Sequence, residues 1–346
     1  MSQTPPKHGS NAVWEVGTVT ADNRPASLAI PPQLQEAYKR CRSIHRGYDP
    51  AFYAGCLMLP APKRPHVDAL YAHARMLDQI VDDQSADPAT AVERLDTRLA
   101  DFARLLKDDD TGGSDEGTDS VLAAAAHTAR TFGIPVEYFD TFAEAMRSDL
   151  TVTEYPAFED LRVYMHGAAA LLGLQIVPIL GPIHPEAAER ATAVGYALQM
   201  TNILRDVEED LDRGRIYLPL EDLERFGLSA AGLRERRMTG PLRDLLRFEE
   251  GRAREYYARA FESVEMLHPS SRQCVYTALT LYSGILDSLA AADYQVFGTR
   301  HGLDKARALR IALPAYVRAR RSWRRADLPA VAGPGRAGAE AGAERG

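Results

Sequence analysis

Cysteine is scarce in this chain. Cys41, Cys56 and Cys274 are odd in number and widely spaced, which excludes a disulfide framework or a cysteine zinc site and fits reduced thiols in a cytosolic protein. Long hydrophobic runs are equally missing: no stretch reads as the roughly 18–20 apolar residues of a membrane span, and Met1 to Ala29 lacks the apolar core of a signal peptide. A cytoplasmic protein is expected, with any contact to lipid peripheral. Positive charge is not in excess, since the formal net charge is -7 and the pI near 5.8. That excludes a general nucleic-acid binder, whose affinity rests on clustered Lys and Arg. An anionic substrate would then need cations or metals placed locally. There is no Gly-rich phosphate loop, no Ser-His-Asp arrangement and no Cys/His cluster. The nine histidines are scattered, and His73 and His166, although near the motifs described below, read as structural.

What the chain does have is helix-forming sequence and enough of it. With 346 residues, 45% of them hydrophobic, it can bury a large core. From Pro31 onward apolar residues recur at helical spacing, with Pro and Gly as punctuation and almost no period-two alternation. An all-α fold follows. Asp87-Pro88 predicts an N-cap with Pro at the first helical position, opening a helix with Val92, Leu95, Leu99, Phe102 and Leu105 along one stripe. Further helices are predicted near 119–132, 135–148, 157–180, 185–211, 241–267, 269–297 and 303–325. Residues 1–30 are expected to be weakly ordered or disordered, 31–325 to form one domain, and 326–346 a disordered low-complexity tail. The acidic stretch from Asp108 to Asp119, rich in Gly and Ser, is expected to be a solvated loop.

Two segments carry chemistry. In Tyr71-Ala-His-Ala-Arg75-Met-Leu-Asp78-Gln-Ile-Val-Asp82, the residues Tyr71, Arg75, Asp78 and Asp82 share one helix face within about 60°. Val67, Leu70, Ala74, Leu77 and Val81 form an apolar stripe beside them. In Gln199-Met-Thr-Asn202-Ile-Leu-Arg205-Asp206-Val-Glu-Glu-Asp210, the residues Gln199, Asn202, Asp206 and Asp210 lie within about 80°, next to Ile203, Val207 and Leu211. By the same wheel Arg205 falls about 100° from Asp206 and outside the row. One Asp-x-x-x-Asp alone would be a solvated helix surface. Two polar rows, each flanked by apolar residues, point to helices that pack into a core while presenting oxygen ligands to a shared cavity. Such ligands suit Mg²⁺, with Mn²⁺ as its substitute, held jointly with substrate phosphates.

At these residues the chain resembles the squalene and phytoene synthase family, in a form closest to actinobacterial phytoene synthases. The likeness runs over about residues 33–300. Phe52-Tyr53, Leu57-Met-Leu-Pro60, Lys63-Arg64 and Ala69-Leu70-Tyr71 lead into the first acidic motif. Asn202-Ile-Leu-Arg205-Asp206-Val-Glu-Glu-Asp210 with Arg213-Gly-Arg-Ile-Tyr-Leu-Pro219 is similar to the second, and Met146-Arg-Ser-Asp-Leu150 and Tyr164-Met-His-Gly167 look like family segments between them. The resemblance implies a single isoprenoid-synthase helical bundle with a central cavity. It implies Asp78, Asp82, Asn202, Asp206 and Asp210 as metal ligands, and Tyr71, Arg75, Gln199, Arg205 and Tyr294 as diphosphate contacts. Tyr164 would lie near the cation, with Asp78, Asp82, Asp206 and Asp210 catalytic.

The chain departs from the family pattern in three places. Tyr48-Asp49-Pro50-Ala51 stands where Ser or Thr is common, Ala168-Ala169-Ala170 replaces Val-Ala-Gly, and Gln79 stands where a second Asp is frequent. The implied reaction is head-to-head condensation of two geranylgeranyl diphosphates, through a cyclopropylcarbinyl diphosphate, to phytoene. Its alternative is farnesyl diphosphate to presqualene diphosphate or squalene, the latter with NADPH. A non-catalytic lipid-binding relative is the rival from another class. It would have no need to hold five metal ligands against mutual repulsion. Small residues Ala168 and Ala169, with Leu172, are expected to set the tunnel length beyond Tyr164. Arg318, Arg320, Arg321, Arg324 and Arg325 with Tyr316 and Trp323 suggest a basic, aromatic face for an anionic membrane.

Overall fold

A computed structural model of the chain describes residues 28–83, 85, 87–107 and 119–325. The expectations for residues 1–27, for 108–118 and for the tail from 326 fall outside the described residues. Fifteen α-helices make up the described fold: α1 (Gln35–Tyr48), α2 (Pro50–Cys56), α3 (Arg64–Val81), α4 (Pro88–Lys107), α5 (Ser120–Phe132), α6 (Val136–Ser148), α7 (Phe158–Met165), α8 (Leu171–Leu180), α9 (Ala187–Arg205), α10 (Val207–Asp212), α11 (Leu220–Arg225), α12 (Ala230–Arg234), α13 (Gly240–Ser263), α14 (Pro269–Ala291) and α15 (Lys305–Arg325). Among the described residues extended pairing is limited to two isolated bridges, Glu154 with Ile216 and Pro182 with Leu267. The all-α expectation is met.

Local chemistry starts several helices where the sequence places them. The Asp87 carboxylate accepts from the backbone N–H of Ala89 and Thr90 and so opens α4, Asp119 accepts from Val121 N–H at α5, and Thr239 from Leu242 N–H at α13. The buried face of α4 is turned slightly from the predicted stripe: Ala91, Leu95 and Phe102 are buried and Val92 is exposed.

Two helical segments are core elements in an unusual sense. The segments Phe158–Leu180 and Pro269–Ala291 are long and apolar enough for a membrane span by length and composition, contrary to the sequence reading, and 61% of each apolar window is buried inside the protein. At the centre, α9 lies along α13 and packs on α8 and α14, while α3 packs on α1, α5 and α8. The apolar stripe of α3 (Val67, Leu70, Ala74, Leu77, Val81) is buried along its whole length. That burial fixes the roll of α3 and turns its polar row toward the end of α9.

Two helical breaks separate observed from predicted boundaries. Between α7 and α8, His166–Ala170 winds as a π-helical turn, where close packing rules. A Cβ on Gly195 would lie 2.5 Å from Ala170 Cα, and one on Gly167 would lie 2.5 Å from Ala145 Cβ, so these glycines let α9 and α6 approach the turn. The second break is at Asp206. There φ -103° and ψ 20° end α9 and start α10, where the sequence predicts one helix from 185 to 211. Likewise α14 ends at Ala291 rather than 297, because Asp293 and Tyr294 adopt positive φ.

Candidate active site

The two acidic rows meet. Asp78 comes from the last turn of α3 and Asp82 from the residue that closes it, and Asp206 and Asp210 come from the break after α9 and the following turn. Guanidiniums join them. Arg213 lies 3.9 Å from Asp82 and 3.8 Å from Asp210, bridging the rows, and Arg215 donates to Asp82 at 2.9 Å. Within the rows Arg75 pairs with Asp78 and lies 4.0 Å from Asp82. From the loop after α14, Arg300 reaches Asp206 and Glu209, each at 3.3 Å.

Arg205 belongs to the site after all. Its Nε donates to Asp206 at 2.7 Å, with a second, parallel hydrogen bond from the same guanidinium. The wheel separated these residues because it assumed a continuous helix. The break at Asp206 swings its carboxylate back over the last turn of α9.

The electrostatics describe crowded carboxylates. Burial, then Asp82, pushes the Asp78 carboxyl above its ordinary range. Burial, then Asp206, pushes Asp210 up to about 8, with Asp82 across the gap adding to the effect. A site where like charges are packed this closely favours cations. Asn202 adds a specific sign: its Nδ2 donates to Gln199 Oε1 at 3.5 Å, while its Oδ1 is buried without a hydrogen-bond partner. A buried amide oxygen left unpaired is costly unless something binds it. The donor set of Asp78, Asp82, Asn202, Asp206 and Asp210 is all hard oxygen, the chemistry Mg²⁺ takes. Among the described residues no three His, Cys, Asp or Glu converge as a ready-made metal cage.

Behind the rows sits a group the sequence reading gave no role. Asp149, which closes α6, is buried. Its carboxylate accepts from the Tyr164 hydroxyl at 2.9 Å and from Tyr217 at 3.5 Å, and Arg215 donates to its backbone carbonyl at 3.2 Å. The rings of Tyr155, Tyr164 and Tyr217 lie 5.3–5.7 Å apart. Burial pushes Asp149 up to about 7, against the opposing pull of Arg215. Tyr164 is therefore tied to the acidic mouth through Asp149 and Arg215. Nothing in the spacing signalled Asp149, whereas Arg213-Gly-Arg215, three residues after Asp210, could have been read as cations flanking the second row.

The remaining predicted residues divide. Tyr71 packs near the mouth against His45 and Phe52, and burial raises its phenol pKa, so it keeps its proton. Tyr294 lies in the loop that carries Arg300, but its hydroxyl donates to Glu250 on α13. His73 stacks on Phe102 with centroids 4.4 Å apart, and His166 bonds the Tyr196 hydroxyl at 3.0 Å; both are packing residues. The departure at Tyr48-Asp49 also has an account. Asp49 caps α2 through Phe52 N–H and accepts from the Tyr282 hydroxyl. Tyr48 lies 4.6 Å under the Arg75 guanidinium and is bonded by Gln79.

Comparison with known proteins places this geometry. The squalene/phytoene synthase family matches residues 45–312. The chain is 37% identical over 309 residues to a 15-cis-phytoene synthase of Synechocystis sp., covering 86% of this chain and 89% of that protein. It is 35% identical to the chloroplastic phytoene synthase 1 of Zea mays, covering 87% of this chain and 73% of the relative. Among solved structures, a dehydrosqualene synthase superposes with a TM-score of 0.72 at 26% identity, over 83% of this chain and 98% of that one. A squalene synthase of Alicyclobacillus acidocaldarius gives 0.67 at 28% identity, over 78% and 98%.

Proposed function

The chain belongs to the squalene/phytoene synthase family and is a prenyltransferase of that type, and we propose that it condenses two geranylgeranyl diphosphates head to head to phytoene. The relatives matched over most of its length at 34–37% identity are phytoene synthases, which favours this product over squalene. The observation that carries the reading is the bridged pair of carboxylate rows, with Arg213 between Asp82 and Asp210.

The balance is simple. Each of the two steps releases one diphosphate and one proton, the first forming a cyclopropylcarbinyl diphosphate and the second phytoene. No reductant enters; the squalene alternative would require NADPH. Asp78 and Asp82 on one side, and Asn202, Asp206 and Asp210 on the other, would hold Mg²⁺. When bound, that ion neutralises diphosphate oxygens and stabilises the negative charge of the leaving group. Arg75, Arg205 and Gln199 would grip the same oxygens, and Tyr71 would donate its retained proton to them. Arg213 and Arg215, released from carboxylates, add to that grip. Tyr294 joins it only by giving up Glu250. Tyr164 would present its ring to the cation, its hydroxyl held back by Asp149. Ala168 and Leu172, half-buried between two apolar clusters, would bound the tunnel. Peripheral membrane contact, which suits a hydrocarbon product, is part of the proposal.

The test is product analysis by mass with geranylgeranyl and farnesyl diphosphate, each with and without Mg²⁺. A C40 hydrocarbon and Mg²⁺-dependent diphosphate release are expected. A C30 product formed far faster from farnesyl diphosphate would move the assignment to presqualene chemistry, and absence of diphosphate release would make the chain a binding protein. Asp78→Ala and Asp206→Ala should each lower turnover on the order of 100-fold or more with the helical circular dichroism unchanged. Full activity in both would remove the site assignment.

A further inference from the structure

Directly against Tyr71 lies a pair of groups that the proposed reaction leaves unused. His45 on α1 and Asp68 on α3 are 0% and 2% exposed, and the imidazole Nδ1–H donates to the Asp68 carboxylate at 2.7 Å. The His45 ring lies nearly flat on the Tyr71 ring, with centroids 4.2 Å apart and planes at 23°. Phe52 and Tyr53 border it at 5.2 and 5.4 Å. Its Nε2 is buried and has no hydrogen-bond partner.

This is an expensive way to fill a core. Two apolar side chains of similar volume would occupy the same space without desolvating an ionisable pair or leaving a ring nitrogen unpaired, and such replacements are often neutral or stabilising. What an apolar pair would not supply is direction. Asp68 stands three residues before Tyr71 on α3, so the bond from His45 ties α1 to the turn just below Tyr71 and fixes the imidazole plane. The plane in turn limits the phenol ring, whose own face rests on it.

We propose that His45, oriented by Asp68, is a positioning residue that holds the Tyr71 ring so that its hydroxyl meets the substrate diphosphate. The inference rests on the reading of Tyr71 as a diphosphate contact. His45 itself touches neither substrate nor metal.

A double-mutant cycle tests it. The apolar pair His45→Phe with Asp68→Leu keeps the packing and removes the tether. It is expected to match or exceed the parent in Tm, to raise KM for geranylgeranyl diphosphate by about tenfold, and to leave kcat within about twofold, the pattern of lost uniform binding. Asp68→Asn, whose carbonyl still accepts from Nδ1–H, should keep the parent KM. In a Tyr71→Phe background the apolar pair should add no further increase. If the apolar pair does not fold, His45→Gln, which keeps a bond to Asp68 but removes the ring lying on Tyr71, takes its place: the same KM increase is expected, lost again in the Tyr71→Phe background, and a parent KM in it overturns the positioning role equally. A parent KM in the tether-free variant, or a full additive increase in the Tyr71→Phe background, overturns the positioning role alone. Parent kinetics in Tyr71→Phe by itself would overturn the underlying reading of the site as well.

Discussion

Asp149 is the residue whose protonation the structure disturbs most usefully. Its carboxyl, pushed up to about 7 chiefly by burial, keeps its proton in the folded state where an unfolded chain, titrating near pH 4, has lost it. Between about pH 4 and 7 the folded state therefore binds more protons, and stability falls as pH rises. Above about 7 the full cost is present, on the order of 4 kcal/mol at most. Asp149→Asn keeps an acceptor for Tyr164 and Tyr217 and removes the titration. Its unfolding free energy, from denaturant melts at pH 5 to 8, should gain on the parent up to about pH 7 and then run parallel. A constant gap across that range would mean Asp149 ionises normally. At this scale the sequence was readable for residues that repeat on a helix face, such as Asp78 and Asp82. The resemblance pointed to Arg205 where the helix wheel did not, because its approach to Asp206 depends on a helix break; Asp149 was given no role, because it depends on a contact between distant segments.

The elements were legible wherever capping and periodicity agree, as at α4, α5 and α13, and less so where packing overrides them. The sequence reads 157–180 as one helix, yet His166–Ala170 is π-helical, a local widening frequent at functional sites. Gly195 is what permits it, since any Cβ there would meet the Ala170 backbone at 2.5–2.7 Å. Gly195→Ala should cost about 1–3 kcal/mol through overpacking, seen as a lower Tm. An unchanged Tm would show that α9 can move aside freely. On the same turn, Ala168→Phe should shift substrate preference from geranylgeranyl toward farnesyl diphosphate, because the longer chain gains roughly 0.8 kcal/mol per buried methylene only where there is room. Competition assays with both substrates measure that shift, and parent selectivity would detach Ala168 from the tunnel.

At the scale of the whole molecule, the last helix is oriented differently from what its aromatics suggested. Trp323 donates its indole N–H to Met58 O at 3.1 Å and Tyr316 packs on the core. The outward face of α15 instead exposes Leu309, Leu313 and Val317, with Arg310, Arg320, Arg321 and Arg324 also exposed. An apolar stripe with cations beside it suits an anionic lipid surface. Flotation with anionic liposomes should carry the protein, neutral liposomes should not, and Leu309→Ser with Leu313→Ser should weaken the association. Equal recovery in all three cases would dismiss the membrane reading. The pairing at the mouth has a different consequence. Asp78, Asp82, Asp206 and Asp210 stand among Arg75, Arg205, Arg213, Arg215 and Arg300, so a chain of net charge -7 carries at its entrance the makings of an ion exchanger. If the proposed reaction holds, incoming phosphate oxygens would take over guanidiniums already gathered there, and the carboxylates they displace would become free for the cations proposed to arrive with them. Loading should then proceed as a swap of partners, with little new charge brought out of water, and should weaken steeply as salt competes for both sides of the exchange.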